Sequence, residues 1–366
     1  MTALSIDAAL KLVDEVIEAG RNDNSPDAAA GTEMLCALRG ARCDGGSMSA
    51  SSDIEWTDAT WQVTTGCARV SPECGTHEGG CYAERMAWRL SHNPATPQYQ
   101  GTVRMTEHGP RWTGLVRPFE NELLAPLSWR KPRRVFVDSM SDLFHEDVPD
   151  AHIDAVFATM LACEFLEGST RHTFQVLTKR AERMAAYFAA PPATLLDRWG
   201  RAADRSIILD NADVYFSEAV YGACTNKWDE NRCGLEKSAP WSHPENLFPL
   251  RNVWLGVSCG TRKHGLPRLD HLRRVPAAVR FVSFEPLLED LGDVDLDGIG
   301  WAIAGAESGP KARAMEEAWV RRLRDQCVAR NVRFFYKQRL DGRRKVSLPV
   351  LDGRAWQEMP GEVRRG

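Results

Sequence analysis

The sequence predicts a parallel α/β fold, with a barrel or partial barrel favoured over an open doubly wound sheet, and three observations lead there. From Trp56 onward, short runs rich in Val, Ile, Phe or Trp alternate with stretches of helical spacing, as strands buried on both faces alternate with crossover helices. Nearly every such run ends in polar residues, as in barrels whose C-terminal strand ends line a site. The chain has 366 residues, 43% hydrophobic and 26% charged, which is ordinary globular composition and enough for a barrel-sized core.

Taken in order, the strand candidates are Thr60–Thr65, Arg134–Asp138, Thr173–Leu177, Asn252–Val257, Val279–Ser283, Gly300–Gly305 and Val332–Tyr336. Ala83, Met86, Ala87 and Leu90 follow the first strand at i, i+3, i+4, i+7, and Ile153, Val156, Phe157, Met160 and Leu161 follow the second with the same period. Val320, Leu323 and Cys327 precede the last strand. Spacing of this kind gathers apolar side chains on one helix face. Residues 1–52 read as one amphipathic helix, near Ile6–Ala19, and a polar linker, residues 53–340 as the barrel, and residues 341–366 as a C-terminal tail. The stretch from about 206 to 246 interrupts the rhythm and reads as an insertion before the fourth strand.

The strand-end residues form one candidate rim: Asp138 and Ser139, Thr178 and Lys179, Ser258, Glu285, Glu307 and Ser308, Lys337 and Gln338. Glu307 stands among glycines, which permit close backbone approach to a ligand, and Glu285 stands between Phe284 and Pro286. Ser141 and Asp142 follow the second strand, and Lys179 and Arg180 the third, where a basic group meets a carboxylate, a phosphate or solvent.

A formal net charge of −4 argues against a grip on nucleic acid by charge alone. The distribution is uneven: residues 1–60 carry eleven acidic and four basic side chains, while Arg321–Lys345 carries ten basic ones against Asp325 and Asp341. That run reads as a solvated surface or as phosphate contacts. No apolar run approaches the length that spans a bilayer and no basic-then-apolar signal is evident, so a cytoplasmic protein without membrane partners is expected. There thiols stay reduced, and ten cysteines point to metal or redox chemistry rather than to disulfides.

Gly66–Glu84 reads GCARVSPECGTHEGGCYAE, which puts Cys67, Cys74 and Cys81 on the loop between the first strand and the first helix. Thiolate is a soft ligand that suits iron–sulfur clusters and zinc. Three close cysteines leave a coordination position open, as catalytic sites do. Zinc held by the three with His77, and ordinary reduced core cysteines, are the competing readings. Cys224 and Cys233, with Cys259, are a weaker candidate set for an auxiliary cluster, whereas Cys36, Cys43, Cys163 and Cys327 are not expected to be ligands. His243, Trp228 and Trp241 read as packing residues of the insertion.

VSPEC with CYAERMA, then FVDSMSDLFH, QVLTKRAERM, NVWLGVS, VSFEPLL, and AGAESGPKARAM with WVRRLRDQC and FFYKQ, resemble in order the blocks of an uncharacterised phage-associated family of radical-SAM-like proteins. The resemblance spans about Trp56–Gln338. It implies a partial (β/α) barrel of the radical-SAM type whose cysteine loop holds a 4Fe–4S cluster, with S-adenosyl-L-methionine on the fourth iron. The implied enzyme, with the cofactor rather than the protein carrying the hard chemistry, generates a 5′-deoxyadenosyl radical. It would draw electrons from a donor such as a flavodoxin or ferredoxin and act on a nucleotide or nucleic acid, in the host cytoplasm if phage-encoded. The resemblance makes Asp138, Ser139, Ser141 and Asp142 candidates for the methionine end of the cofactor; by their strand-end positions Ser258, Glu285 and Glu307 are expected as further cofactor contacts, and Lys179, Arg180, Lys337 and Gln338 as contacts to substrate or cofactor. The alternative is a zinc-stabilised phage protein that binds nucleic acid through the basic run. Two departures stand out. Members usually separate the cysteines by six and then two residues, and here Gly-Thr-His-Glu-Gly-Gly makes both gaps six. The fourth strand ends in Ser258-Cys259-Gly260, where members usually carry an acidic residue.

Overall fold

A computed structural model describes residues 52–76, 81–165, 171–206, 247–309, 311–342 and 344–361. The β-rich runs form one eight-stranded sheet: β1 (Ala59–Trp61), β2 (Arg134–Val137), β3 (Thr173–Thr178), β4 (Val253–Ser258), β5 (Val279–Phe284), β6 (Trp301–Gly305), β7 (Arg333–Asp341) and β8 (Arg344–Ser347). They lie side by side in chain order, without closing. The first seven are parallel, and only β8 runs antiparallel to its neighbour. The result is a curled half-barrel. Its helices are α1 (Tyr82–Ser91), α2 (Asp150–Phe165), α3 (Ala181–Tyr187), α4 (Pro192–Ser206), α5 (Leu266–Arg273) and α6 (Glu317–Ala329).

Alternation along each strand sorts the core into two faces. Val135 and Val137, Phe174 and Val176, Leu255 and Val257, Val282 and Phe284, Ala302 and Ala304, and Phe334 and Tyr336 belong to the large core shared with the helices. Residues between them turn the other way, into a second cluster of Trp56, Phe136, Phe281, Trp301, Ile303, Phe335 and Met359. Trp254 packs against it, and its ring lies 5.7 Å from Trp301. This aromatic layer fills the lower part of the concave face. Register then lifts the polar positions above it: Ser258 pairs with Ser283, and Gly305 with Gln338.

Several expectations shift. The first strand, expected over Thr60–Thr65, leaves the main sheet after Trp61, because the Val63 and Thr64 amides donate to Asp138 Oδ1 at 2.9 Å. Thr64–Thr65 pairs instead with Arg117–Pro118. Met86 is on α1 but 39% exposed, so Ala83 and Ala87 carry the buried face. Residues 341–361 are no tail: they continue the sheet through β8 and return along β7, with the Tyr336 amide donating to Trp356 O and the Glu358 amide to Phe334 O. Trp356 and Met359 are buried. The N-terminal helix candidate and most of the insertion, with Cys36, Cys43, Cys224, Cys233, Trp228, Trp241 and His243, lie outside the described residues. Among those described, no helix is long and apolar enough to cross a membrane.

Candidate functional site

The cysteine loop leaves the C-terminal end of β1 through Gly66, whose φ is +86°. A Cβ there would lie 2.0 Å from Leu115 O, so only glycine lets the chain turn into Cys67 at this point. Cys74 ends a short helical turn, Pro72–Cys74, and Cys81 is the N-cap residue of α1. Two buried acids pin the loop. Glu73 accepts hydrogen bonds from the Gly260 amide at 3.3 Å and the Thr261 hydroxyl at 2.9 Å, with Arg268 at 3.6 Å, which ties the loop to the end of β4. Arg69 forks onto Glu84 of α1 at 2.9 and 2.5 Å and donates to Thr76 O.

The thiols of Cys67, Cys74 and Cys81 are free and half-buried. Burial pushes Cys67 up to about 12, Asp142 adds to this, and Arg180 opposes it; Cys74 and Cys81 lie near enough to raise it further. Burial and then Glu84 raise Cys81, while the amides at the start of α1 oppose them. Unliganded, both are neutral thiols at neutral pH, and a metal would have to displace their protons. Among the described residues no group of His, Cys, Asp or Glu is drawn together closely enough to hold a metal ion. By donor chemistry three soft thiols within one another's field fit a thiophilic centre, and His77 and the rest of residues 77–80 lie outside the described residues.

Around the loop the strand ends meet in pairs. Arg180, after β3, places Nη1 3.9 Å from Cys67 Sγ and 3.2 Å from Asp142, donates from Nη2 to Ala68 O, and binds Glu146 at 2.8 Å. Lys179 Nζ donates to the Ser258 hydroxyl at 3.2 Å. Lys337 binds Glu285 at 2.6 Å across Gly305. Other rim residues are spent on structure. Asp138, with φ +56°, is buried and holds the end of β1 through Oδ1; its Oδ2 has no partner, and burial pushes the carboxyl up to about 7. Ser141 donates to Thr64 O at 2.8 Å, and Asp142 accepts from Thr178 and the Phe144 amide. Ser139 O receives the Tyr82 hydroxyl. Glu307 is closed by Arg313, which forks onto it at 2.8 and 2.6 Å, and Gln338 is bound to Ala306 O. All three of Asp138, Glu285 and Glu307 follow strands at the same edge: Asp138 is occupied by the amides beyond β1, Glu307 by Arg313, and Glu285 by the ammonium of Lys337 on a different strand.

Sequence reasoning passed over Glu73, Arg69, Glu84, Tyr82 and Arg85. Glu73 lies within the very motif that carries the cysteines, yet its use appears only when β4 is brought beside the loop. Cys259, Cys163 and Cys327 are buried in the core. The basic run is met within the chain: Arg321 and Arg324 by Asp352, Arg322 by Asp290 and Asp293, Arg330 by Asp295, and Lys345 by Glu55.

Fold and site together define a half-barrel α/β protein with a three-cysteine loop on its strand-end rim. Residues 51–360 match the family DUF5131, described as a protein of unknown function, and the chain belongs to that family. No curated protein and no solved structure matches it.

Proposed function

We propose that the protein is a radical S-adenosylmethionine enzyme in which Cys67, Cys74 and Cys81 hold a 4Fe–4S cluster. The observation that carries this reading is the placing of three thiols, each within electrostatic reach of the others, on a pinned loop at the C-terminal rim of a parallel half-barrel, where βα loops build active sites. When bound, the cluster and its cofactor supply a reductively generated 5′-deoxyadenosyl radical for hydrogen abstraction, with electrons from a flavodoxin or ferredoxin. The chain's own residues do the rest. Arg180 puts a guanidinium on Cys67 and favours its ionised form. Glu73 and Arg69 hold the loop against β4 and α1. The aromatic layer beneath the rim keeps water from entering the concave face from below.

Anaerobic reconstitution with iron and sulfide tests this. The expected product is brown, with roughly four iron atoms per chain, and with added S-adenosylmethionine and dithionite as reductant releases methionine and 5′-deoxyadenosine. Serine at Cys67, Cys74 or Cys81 should each remove most of the iron, while joint alanine substitution of Cys163 and Cys327 should not. A colourless protein that retains one zinc, or normal iron in all three serine variants, would overturn the reading.

A further inference from the structure

Helix α1 starts on Cys81 and has two unlike faces. On one, Ala83, Glu84 and Ala87 are buried. The hairpin of Val103–Thr106 and Gly109–Trp112 packs on that side: the Trp112 amide donates to Glu84, and Val103 and Trp112 join Ala87. On the other, Tyr82, Met86 and Arg89 follow one another at i, i+4 and i+7, and all three are exposed. Tyr82 and Met86 are 42% and 39% exposed, against a core that takes most large apolar side chains. Arg85 stands one turn before Arg89, beside Met86. The charge of this stretch is one-sided. Residues 81–117 hold five arginines against Glu84 and Glu107, within a chain of net charge −4, and Glu84 is buried and held by Arg69 and Arg111.

A stripe of Tyr, Met and Arg has the composition of a protein-binding patch, with methionine supplying adaptable apolar contact. Its positive charge favours an acidic partner and steers the encounter. Small interfaces of this kind are typical of electron-transfer proteins, and this one begins at a residue of the thiol loop. We propose that the outer face of α1, formed by Tyr82, Met86 and Arg89 with Arg85, is the docking surface of an acidic one-electron carrier protein. The carrier is oxidised by one electron and the centre on the cysteine loop is reduced by one; no proton or bond crosses the surface. The electron-transfer role rests on the cluster reading above, whereas docking needs only the side chains of this face.

The test is calorimetric titration of the full chain with an acidic flavodoxin. Affinity should fall by about tenfold or more between about 50 and about 300 mM salt. Arg89→Glu and Met86→Asp should each weaken binding by about tenfold, Met86→Leu should keep it, and Arg322→Glu, in the paired C-terminal run, should leave it unchanged. Cys67→Ser should remove iron and leave flavodoxin binding intact, which separates the docking from the cluster assignment. In the reconstituted protein, Arg89→Glu should lower the yield of 5′-deoxyadenosine with reduced flavodoxin by about tenfold. The yield with dithionite should stay unchanged, because a small reductant needs no docking surface. No flavodoxin binding, equal affinity in the parent, Arg89→Glu and Met86→Asp, or equal loss of the flavodoxin-driven and dithionite-driven yields would overturn the inference. So would a dimer in sedimentation that Met86→Asp returns to monomer, since the face would then be covered by a second copy of the chain.

Discussion

Two basic regions of this chain are built on opposite plans. The run from Arg321 to Lys345 is dense in positive charge, yet among its described residues Arg321, Arg322, Arg330, Lys337 and Lys345 end on Asp352, Asp290, Asp293, Asp295, Glu285 and Glu55 at 2.6–3.9 Å. The rim around the cysteine loop has fewer cations in sequence, but among the described residues Lys179 and Arg85 pair with no acid. What a charged region can bind is set by the charge left over after pairing, not by its count. The first region fastens helix α6 and the C-terminal segment to the body. The second surrounds the loop that carries three thiols.

The largest expected effect lies at the rim. Glu73→Ala should cost about 3–5 kcal/mol, because it leaves Arg268 buried without its partner, and denaturant unfolding measures this. A cost near zero would mean that the loop is not fastened through β4 and that the rim is as loosely held as the C-terminal surface.

Asp138 sharpens the contrast from the acid side, since among the described residues its Oδ2 has no hydrogen-bond partner. Its folded pKa is raised to about 7 by burial, against about 3.9 unfolded. The protonated form is therefore favoured in the fold, its contribution is complete below about pH 4, and it is lost as pH rises through 7. Asp138→Asn cannot ionise, so its unfolding free energy should fall less between pH 5 and pH 8 than that of the parent, by a margin of roughly 1–3 kcal/mol. Parallel curves would show that the carboxylate is ionised and satisfied throughout.

The smallest effect is expected in the C-terminal run. Arg322→Gln breaks exposed pairs to Asp290 and Asp293, and should move the melting temperature by no more than about two degrees. A loss of stability comparable to that of Glu73→Ala would erase the distinction between the two regions.

Strands β2 to β7 were legible because each is an uninterrupted β-rich run, whereas β8, a short polar segment, was not; helices α2 and α6 were legible because Ile153, Val156 and Phe157, and Val320, Leu323 and Cys327, repeat at the helical period and are all buried. The cysteine loop was legible because three thiols within a Gly-rich segment have few structural uses. Met86 misled because a period marks a face without saying whether anything covers it. Glu307 and Asp138 have the same chemistry in sequence as Glu285, and only their neighbours distinguish them: Arg313 closes the first, and the amides of Val63 and Thr64 occupy the second.

The sequence by itself determined the parallel α/β class, the order of the strands and the set of polar groups brought to one edge, since these follow from local periodicity and from where each strand ends. Tertiary structure alone decided which of those groups are spent and which are left to act. Pairing joins residues far apart in the chain, such as Glu73 with Thr261 or Lys337 with Glu285. It depends on distances of a few ångströms that curling of the sheet sets and no local pattern encodes.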